Sequence, residues 1–102
     1  MDKAQKILNL LGMAQRAGRL VSGDFAAEKE IKNGRGLYLA FLAKDSGGDN
    51  EKKYSYLAEE TGVPVNRMFT KAELGVAIGK EKRVIVLVKD KGFAEAILKL
   101  MR

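Results

Sequence analysis

The sequence predicts a three-layer α/β/α sandwich around a small mixed sheet of about four strands. Segments with helical periodicity alternate with short apolar segments along the 102 residues. Two of the apolar segments are continuous runs, which are typical of strands covered on both faces. The links are short, and alternation with short links places helices on both sides of a sheet. A chain of this length supports one hydrophobic core, so we expect a single domain over residues 1–102.

The first third of the chain predicts two helices and a short strand. Residues 2–17 carry apolar side chains at spacings of three and four, and Gly18 follows where a left-handed C-terminal cap is expected. The extended stretch "RLVS" then leads into a second helix that ends at "NGRG". In this helix Ala27, Ile31 and Gly34 repeat at helical spacing and are expected to face the core.

The middle third predicts strand, loop, helix and strand. "LYLAFLA", residues 37–43, is a continuous apolar run and predicts a strand buried on both faces. "DSGGDN", residues 45–50, predicts a loop, and the helix after it is expected to stop at Gly62. "VPVNRMF", residues 63–69, predicts a short strand at the sheet edge, because Pro64 has no N–H to donate to a ladder.

The last third predicts a short helix, a buried strand and a closing helix. "TKAE", residues 70–73, matches the capping box, in which a Thr hydroxyl and a Glu carboxylate each accept the other residue's backbone N–H. The helix that it opens is expected to end at Gly79. "RVIVLV", residues 83–88, predicts the second buried strand, and Asp90 predicts the cap of the last helix. The side chains of that helix expected to face inward are Phe93, Ala94, Ile97, Leu98 and Met101.

The composition excludes the commonest catalytic and metal-binding chemistry. The chain has no cysteine and no histidine, which removes disulfides, zinc–thiolate sites, thiol nucleophiles and the commonest general base. Asp45, Asp49 and Asp90 lie where turn and cap residues are expected, so we do not interpret them as a metal cluster. We predict a protein that is not an enzyme, with no cofactor, no metal and no small-molecule substrate.

One glycine-containing segment resembles a phosphate-binding loop without matching it. "GVAIGKE" has three residues between its glycines instead of four, and Glu81 stands where Ser or Thr would bind magnesium. We interpret Gly75 and Gly79 as positions of close helix packing.

The net charge of +6 favours an anionic partner, and the charge is unevenly distributed. Residues 1–36 carry seven Lys and Arg against four Asp and Glu, and residues 80–102 carry seven against three. Residues 37–79 carry five against six. A fold that brings the two ends of the chain together would create one electropositive face.

The second helix has an outer face that suits nucleic acid. At about 100° per residue, the face opposite the expected core side gathers an aromatic ring, two ammonium groups and an amide. These belong to Phe25, Lys29, Lys32 and Asn33. The backbone amides after Ser22–Gly23 are free at the helix N-terminus and favour an anion. Cations neutralise phosphates, and an aromatic ring stacks on an unpaired base.

The same residues also allow a structural interpretation. Phe25 would then lie under a neighbouring loop as ordinary core, and Glu28 and Lys32 would form a surface ion pair four residues apart. Asp24, in the first turn, stabilises the helix but repels phosphate. This stretch leaves both interpretations open.

Two further basic features favour a binding surface. Lys71 lies in the first turn of the helix that Thr70 opens, where a cation opposes the helix dipole and invites a functional reason. "KEKR" places Lys80, Lys82 and Arg83 in the loop before the second buried strand, where a basic cluster can meet a ligand without disturbing the core. Taken alone, this loop is more simply interpreted as a solvated surface.

Two long segments carry a family resemblance. "FTKAELGVAIGKEKRVIVLV", residues 69–88, and "SGDFAAEKEIKNGRGLYLAFLAKD", residues 22–45, resemble the kink-turn RNA-binding family of ribosomal proteins L-seven-Ae and L-thirty-e, especially its small bacterial YlxQ-like members. The positions that match the family's spacing are Gly23, Lys29, Ile31, Gly34, Asp45, Thr70, Lys71, Leu74, Gly75, Ala77 and Gly79. The resemblance covers nearly the whole chain and implies a four-stranded α/β/α sandwich that binds folded RNA.

The resemblance also implies one RNA-binding surface, formed by the start of the second helix and the loop after the fourth. Gly23 would approach RNA with its backbone, and Lys29 and Lys71 would contact phosphates or base edges. Family members commonly carry Asn and Glu where this chain has Phe25 and Ala26, whose side chains cannot make polar contacts. We therefore expect Phe25 to stack on a base. The expected RNA-binding residues are Ser22, Gly23, Phe25, Ala26, Lys29, Lys32, Lys71, Lys80, Lys82 and Arg83.

The sequence therefore predicts a non-catalytic, ribosome-associated protein that binds structured RNA as a monomer. Its apolar runs are far shorter than the roughly 20 residues that cross a bilayer, and its N-terminus does not resemble a signal peptide, so we expect a cytoplasmic protein with no membrane partner. The alternative is a protein–protein interaction module on the same fold, with Phe25 in its contact surface. An enzyme that uses carboxylates and tyrosines is a third hypothesis, which a pocket with strongly perturbed carboxyl groups would favour.

Overall fold

The computed structural model describes residues 2–102, and within them five helices alternate with four strands. The elements are α1 (Lys3–Arg16), β1 (Leu20–Ser22), α2 (Asp24–Asn33), β2 (Leu39–Leu42), α3 (Gly48–Thr61), β3 (Val65–Asn66), α4 (Lys71–Ala77), β4 (Ile85–Val88) and α5 (Lys91–Met101). This confirms the predicted order of elements. None of these helices is long and apolar enough to cross a membrane.

The sheet is mixed, with the strand order β1-β4-β2-β3. β4 pairs antiparallel with both β1 and β2, whereas β2 pairs parallel with β3. Ser22 lies opposite Val86, and Leu42 lies opposite Ile85. The end of β1, the end of β2 and the start of β4 therefore share one end of the sheet. β3 lies at an edge, as Pro64 predicted.

Each face of the sheet is covered by its own group of helices. Phe41 and Val86 belong to a core built with α1, α4 and α5, whereas Leu42 and Leu87 belong to a second core built with α2 and α3. Neighbouring residues of a strand point to opposite faces, so a strand covered on both sides is apolar at every position. This confirms the three-layer sandwich and explains the continuous apolar runs.

The caps form as predicted. The Thr70 hydroxyl accepts from the Glu73 N–H at 3.1 Å, and the Glu73 carboxylate accepts from the Thr70 N–H at 2.9 Å, which completes the capping box of α4. Asp90 caps α5 by accepting from the N–H of Phe93 at 2.8 Å. Gly34 ends α2 in the left-handed conformation, where an L side chain is strained.

The predicted boundaries of α3 and β3 were wrong, and β2 and β4 each begin two residues later than predicted, at Leu39 and Ile85. α3 begins at Gly48, inside the stretch 45–50 that was predicted as a loop. Asp49 and Glu51 lie in its first turn, where negative charge stabilises the helix dipole and outweighs the low helix propensity of glycine. β3 has only two residues, because the Asn66 side chain accepts from the N–H of Met68 at 2.8 Å and turns the chain away from the ladder.

The last helix differs from the prediction at one position. Met101 was expected to face inward, but 36% of its surface is exposed. Met101 is the last residue of α5, so no further helical turn follows it to cover its side chain. Ala94 and Ile97, in the middle of the helix, are fully buried as predicted.

Candidate functional site

Three segments that are distant in the chain meet where β1 ends and β4 begins. The Arg83 backbone N–H donates to the carbonyl oxygen of Lys71 at 3.1 Å. The Arg83 Nε donates to the Ser22 hydroxyl at 3.3 Å, across 61 positions of sequence. We call the surface formed by Ser22, Gly23, Lys71 and the loop Lys80–Arg83 the basic end. The structure thus joins the start of α2, the start of α4 and the loop after α4.

Gly75 allows this loop to lie directly on α4. A Cβ atom at Gly75 would lie 2.2 Å from the carbonyl oxygen of Glu81 and 2.7 Å from its carbonyl carbon, which are impossible separations. The carbonyl oxygen of Gly75 also accepts from the N–H of Lys80 at 2.9 Å. Close packing at Gly75 is confirmed, although its neighbour is the loop. At Gly79 the prediction was wrong: a Cβ there would meet nothing within 4 Å, and φ is +71°, which a turn requires.

Asp45 completes the start of α4 and was not predicted as part of this site. Its carboxylate accepts from the backbone N–H of Lys71 at 2.8 Å. A carboxylate at a helix N-terminus stabilises the dipole and offsets the unfavourable charge of Lys71. The sequence signal was the position of Asp45 just after the buried run 37–43, but only the sheet order shows that α4 begins beside it.

The basic end contains three lysines without ion pairs among residues 2–102 and one arginine that hydrogen-bonds within the protein. Lys71 is half-buried, Lys80 and Lys82 are exposed, and within residues 2–102 none of the three forms an ion pair. The guanidinium of Arg83 instead donates to Ser22 and to the carbonyl oxygens of Glu81 and Lys82 at 3.3 and 3.1 Å. Arg83 therefore holds the loop in place, while the three lysines remain available to a ligand.

The first turn of α2 is open to solvent. Gly23 is its N-cap with φ 96° and ψ 147°, and among residues 2–102 no side-chain hydrogen bond caps the helix. Phe25 exposes 86% of its surface, so the interpretation of this ring as core is wrong. Ala26 and Lys29 are also exposed, whereas Ala27 on the inner face is fully buried.

Lys32 does not join the basic end. Its ammonium group lies 3.5 Å from Glu28, as the alternative interpretation predicted, and Lys53 of α3 lies 3.1 Å from the same carboxylate. The hydrogen bond from Lys53 lowers the pKa of the Glu28 carboxyl, and the charge of Lys32 lowers it further. Lys32 lies in the last turn of α2, at the opposite end of the helix from Ser22. Its charge is balanced there by Glu28.

The acid at the start of α2 is also engaged. The Tyr54 hydroxyl of α3 donates a hydrogen bond to the carboxylate of Asp24. Burial raises the pKa of the Tyr54 hydroxyl, and the hydrogen bond to Asp24 raises it further. Tyr54 therefore stays protonated at neutral pH and holds the carboxylate of Asp24 towards α3.

Two of the acids that the sequence placed at turn and cap positions lie at the starts of helices. Asp49 lies in the first turn of α3, and Asp90 caps α5. No group of three or more Asp or Glu side chains in the described part of the chain could hold a metal ion. The pKa of Glu73 is lowered, mainly by the hydrogen bond from the backbone N–H of Thr70. A lowered pKa is the opposite of what a buried general acid requires.

The structure also contains a groove that sequence reasoning missed. It lies between α1 and α4 and exposes 48% of Met13 and 80% of Val76. The two helices can approach closely because Gly12 has no side chain. A Cβ atom there would lie 2.9 Å from the carbonyl oxygen of Ala77. Val76 gave no sequence signal, since an apolar residue within a short helix is normally core.

Comparison with known proteins identifies the family. A model of the ribosomal protein L7Ae/L30e/S12e/Gadd45 family matches residues 5–98. The chain belongs to this family. It is 40% identical over 92 residues to the RNA-binding protein YlxQ of Bacillus subtilis (strain 168), covering 90% of this chain and 91% of that protein. It is 34% identical over 97 residues to the RNA-binding protein YlxQ of Enterococcus faecium, covering 95% and 92%.

Solved structures support the same fold. A protein with unknown function from Bacillus halodurans superposes with a TM-score of 0.87 at 36% identity and covers 94% of this chain and 96% of its own. The Giardia lamblia 15.5kD RNA binding protein superposes with a TM-score of 0.77 at 19% identity, covering 96% and 83%. At that identity the second likeness supports the fold alone. The resemblance inferred from residues 22–45 and 69–88 is confirmed.

Proposed function

We propose that this chain is a non-catalytic RNA-binding protein, a single domain over residues 1–102 that binds structured RNA at the basic end. The observation that carries the proposal is the pair of hydrogen bonds from Arg83 to Ser22 and to Lys71. They join three segments into one surface. On this surface Lys71, Lys80 and Lys82 form no ion pair within residues 2–102. Cations in this arrangement neutralise phosphates, which supplies much of the affinity for RNA.

The relatives support RNA as the partner. The two YlxQ proteins, named as RNA-binding proteins, align over at least nine-tenths of this chain. The finer proposal is a kink-turn-like RNA with a bulge, bound by a monomer that associates with ribosomes in the cytoplasm. The side chains of Phe25 and Ala26 cannot hydrogen-bond to sheared G·A pairs, so we infer that recognition in this chain rests on the shape and phosphates of the bulged RNA.

Binding to three matched hairpins tests the proposal. The first has a three-nucleotide bulge followed by tandem G·A pairs, the second replaces those pairs by G·C pairs, and the third is fully paired. We expect the two bulged hairpins to bind more tightly than the paired one, and Lys71→Ala and Lys82→Ala each to weaken binding to all three. Equal binding of all three hairpins would remove shape recognition, and unchanged binding by both lysine variants would remove the basic end as the site.

Ribosome association needs a separate measurement. The protein should sediment with ribosomes in sucrose gradients at low salt and leave them at high salt, because counterion release weakens phosphate contacts. Lys82→Ala should reduce the bound fraction. Salt-resistant sedimentation that Lys82→Ala leaves intact and Phe25→Ala abolishes would instead favour the protein-interaction alternative, in which Phe25 lies in the contact surface.

A further inference from the structure

Phe25 contributes little buried surface to the fold, although the helix that carries it is anchored. Its exposed fraction of 86% is the highest among the exposed large hydrophobic side chains of the described residues. Burying a phenylalanine side chain normally stabilises a protein by about 1.5–3 kcal/mol, and most of that contribution is absent here. The helix beneath it is anchored by the buried Ala27 and Ile31, and Tyr54 holds Asp24 beside it. The ring is therefore presented to solvent from a helix whose inner face is anchored.

The ring lies next to the basic end. Phe25 lies three positions after Ser22, so their Cα atoms lie within about 11 Å of each other. The hydroxyl of Ser22 is bonded to Arg83 at 3.3 Å. Lys29 follows Phe25 by four residues, so it lies about 40° around the helix and about 6 Å further along it. An RNA bound at the basic end therefore passes within reach of the ring and of Lys29.

The surroundings of the ring favour a nucleotide over a protein. Ala26, Lys29 and Asn33 share the outer face of α2 and are all exposed, so the apolar area around Phe25 is small. A protein contact needs a contiguous apolar core at its centre, which this face lacks. A nucleotide needs one flat apolar surface for its base and a cation for its phosphate, and Phe25 with Lys29 supplies both.

We propose that Phe25 is a stacking platform for one unpaired base of the bound RNA, with an adjoining phosphate held by Lys29. The proposal rests on the proposed function and names the RNA feature that the site selects. A base inside a paired helix hides both of its faces, so the base on Phe25 must be extruded. Phenylalanine has no side-chain donor or acceptor, so the platform detects an unpaired base without reading its hydrogen-bonding edge.

A cycle of paired changes in protein and RNA tests this directly. The probe is the first hairpin, with a three-nucleotide bulge followed by tandem G·A pairs. Three derivatives of it each carry an abasic site at one of the three bulge positions. We expect Phe25→Ala to weaken binding to the intact hairpin by about 5- to 100-fold. At one bulge position, removal of the base should weaken wild-type binding by the same factor as Phe25→Ala does. Removal of that base should not weaken the binding of Phe25→Ala any further. Independent, multiplicative losses at all three positions would overturn stacking.

Two further variants separate stacking from simple apolar contact. Phe25→Leu should bind as weakly as Phe25→Ala, because leucine is apolar but has no ring; binding equal to wild type would overturn the proposal. Phe25→Trp introduces the only tryptophan of the chain, and its fluorescence should be quenched by the bulged hairpin and not by the paired one. Unquenched fluorescence in the bound complex would also overturn it.

The outcome for stacking is distinguishable from the outcome for RNA binding itself. If Phe25→Ala binds as wild type while Lys29→Ala and Lys82→Ala bind more weakly, stacking is wrong and the proposed function stands. If the wild-type protein binds neither bulged hairpin, both are wrong. Since Phe25 is exposed, all variants should keep the wild-type thermal midpoint, which circular dichroism verifies.

Discussion

The start of α4 is held by individual side-chain contacts that determine where Lys71 lies. Thr70 and Glu73 cap each other's backbone N–H, and Asp45 accepts from the N–H of Lys71. A cation at this position opposes the helix dipole, so these contacts offset a locally unfavourable charge. The geometry of the basic end therefore depends on side chains that need not touch RNA.

The capping box should make stability depend on pH. The pKa of Glu73 is lowered in the folded protein, so its carboxylate stabilises the fold fully above the ordinary value near 4.5 and loses this effect as pH falls through the lowered pKa. Thr70→Ala should reduce the free energy of unfolding by about 1 kcal/mol at pH 7. In urea titrations between pH 5 and pH 3, Glu73→Gln should show a shallower loss of stability than wild type. Glu59→Gln, at an exposed position of α3, is the control and should follow the wild-type slope.

Tyr54 should influence RNA binding through Asp24. Tyr54→Phe removes the hydrogen bond that holds the Asp24 carboxylate towards α3, and the released charge should weaken RNA binding by about three- to fivefold. The double variant Asp24→Asn with Tyr54→Phe has no carboxylate at this position and should bind at least as tightly as wild type, although it remains less stable. A double variant that binds as weakly as Tyr54→Phe would show that Tyr54 acts only through the packing of α3.

The loop Lys80–Arg83 depends on its approach to α4. The loop is tied to that helix by the bond from Lys80 to Gly75 and by the bond from Arg83 to Lys71. Both bonds can form because Gly75 has no side chain to keep the loop away from the helix. Helix and loop are therefore one binding element, although the sequence separates a helix pattern from a basic run.

Substitution of Gly75 should disturb this element selectively. In Gly75→Ala the new Cβ would overlap the Glu81 carbonyl group, so the loop must shift. We expect a loss of about 1–3 kcal/mol in stability and a loss of about tenfold in RNA affinity, measured by urea unfolding and filter binding. Gly48→Ala is the matched control, because its Cβ would meet nothing within 4 Å and its φ is not positive. Equal RNA affinity in the two variants would contradict the role assigned to Gly75.

The fold distributes positive charge over both ends of the sheet. The two basic ends of the chain do come together, since Lys3 Nζ donates to the carbonyl oxygen of Arg102 at 3.0 Å. Their cations do not form one face, however. Arg19 contacts Asp90, and the carbonyl oxygen of Arg35 accepts from Lys89, all beyond the opposite end of β4. The net charge of +6 thus overstates the charge available to RNA at the basic end.

The slope of RNA affinity against salt concentration should reflect the number of cations that contact RNA. With four contributing lysines, Lys29, Lys71, Lys80 and Lys82, the logarithm of the association constant should fall with the logarithm of salt concentration with a slope of about −3. Lys82→Ala should reduce the magnitude of the slope by about 0.8. Lys91→Ala removes the same charge beyond the opposite end of β4 and should leave the slope unchanged. Equal slopes for the two variants would indicate that the overall charge attracts RNA, and not the basic end.

Periodicity, capping residues and turn residues were sufficient to predict the element order and the two buried strands, but they left open whether Phe25 lies in the core or on the surface. These signals act within one or two turns of chain, where local sterics and hydrogen bonding decide the conformation. They were weakest at boundaries, where Asp49 and Glu51 extended a helix into a glycine-rich stretch. They also could not separate Lys82, which is free, from Lys32, which is paired.

Tertiary structure decided which distant residues became neighbours. Ser22 and Arg83 are 61 positions apart and meet because β4 pairs with β1 at one side and with β2 at the other. Strand order is set by the packing of all helices on both faces, which no short segment encodes. The types of chemistry at the basic end were therefore readable in the chain, whereas its assembly into one surface required the fold.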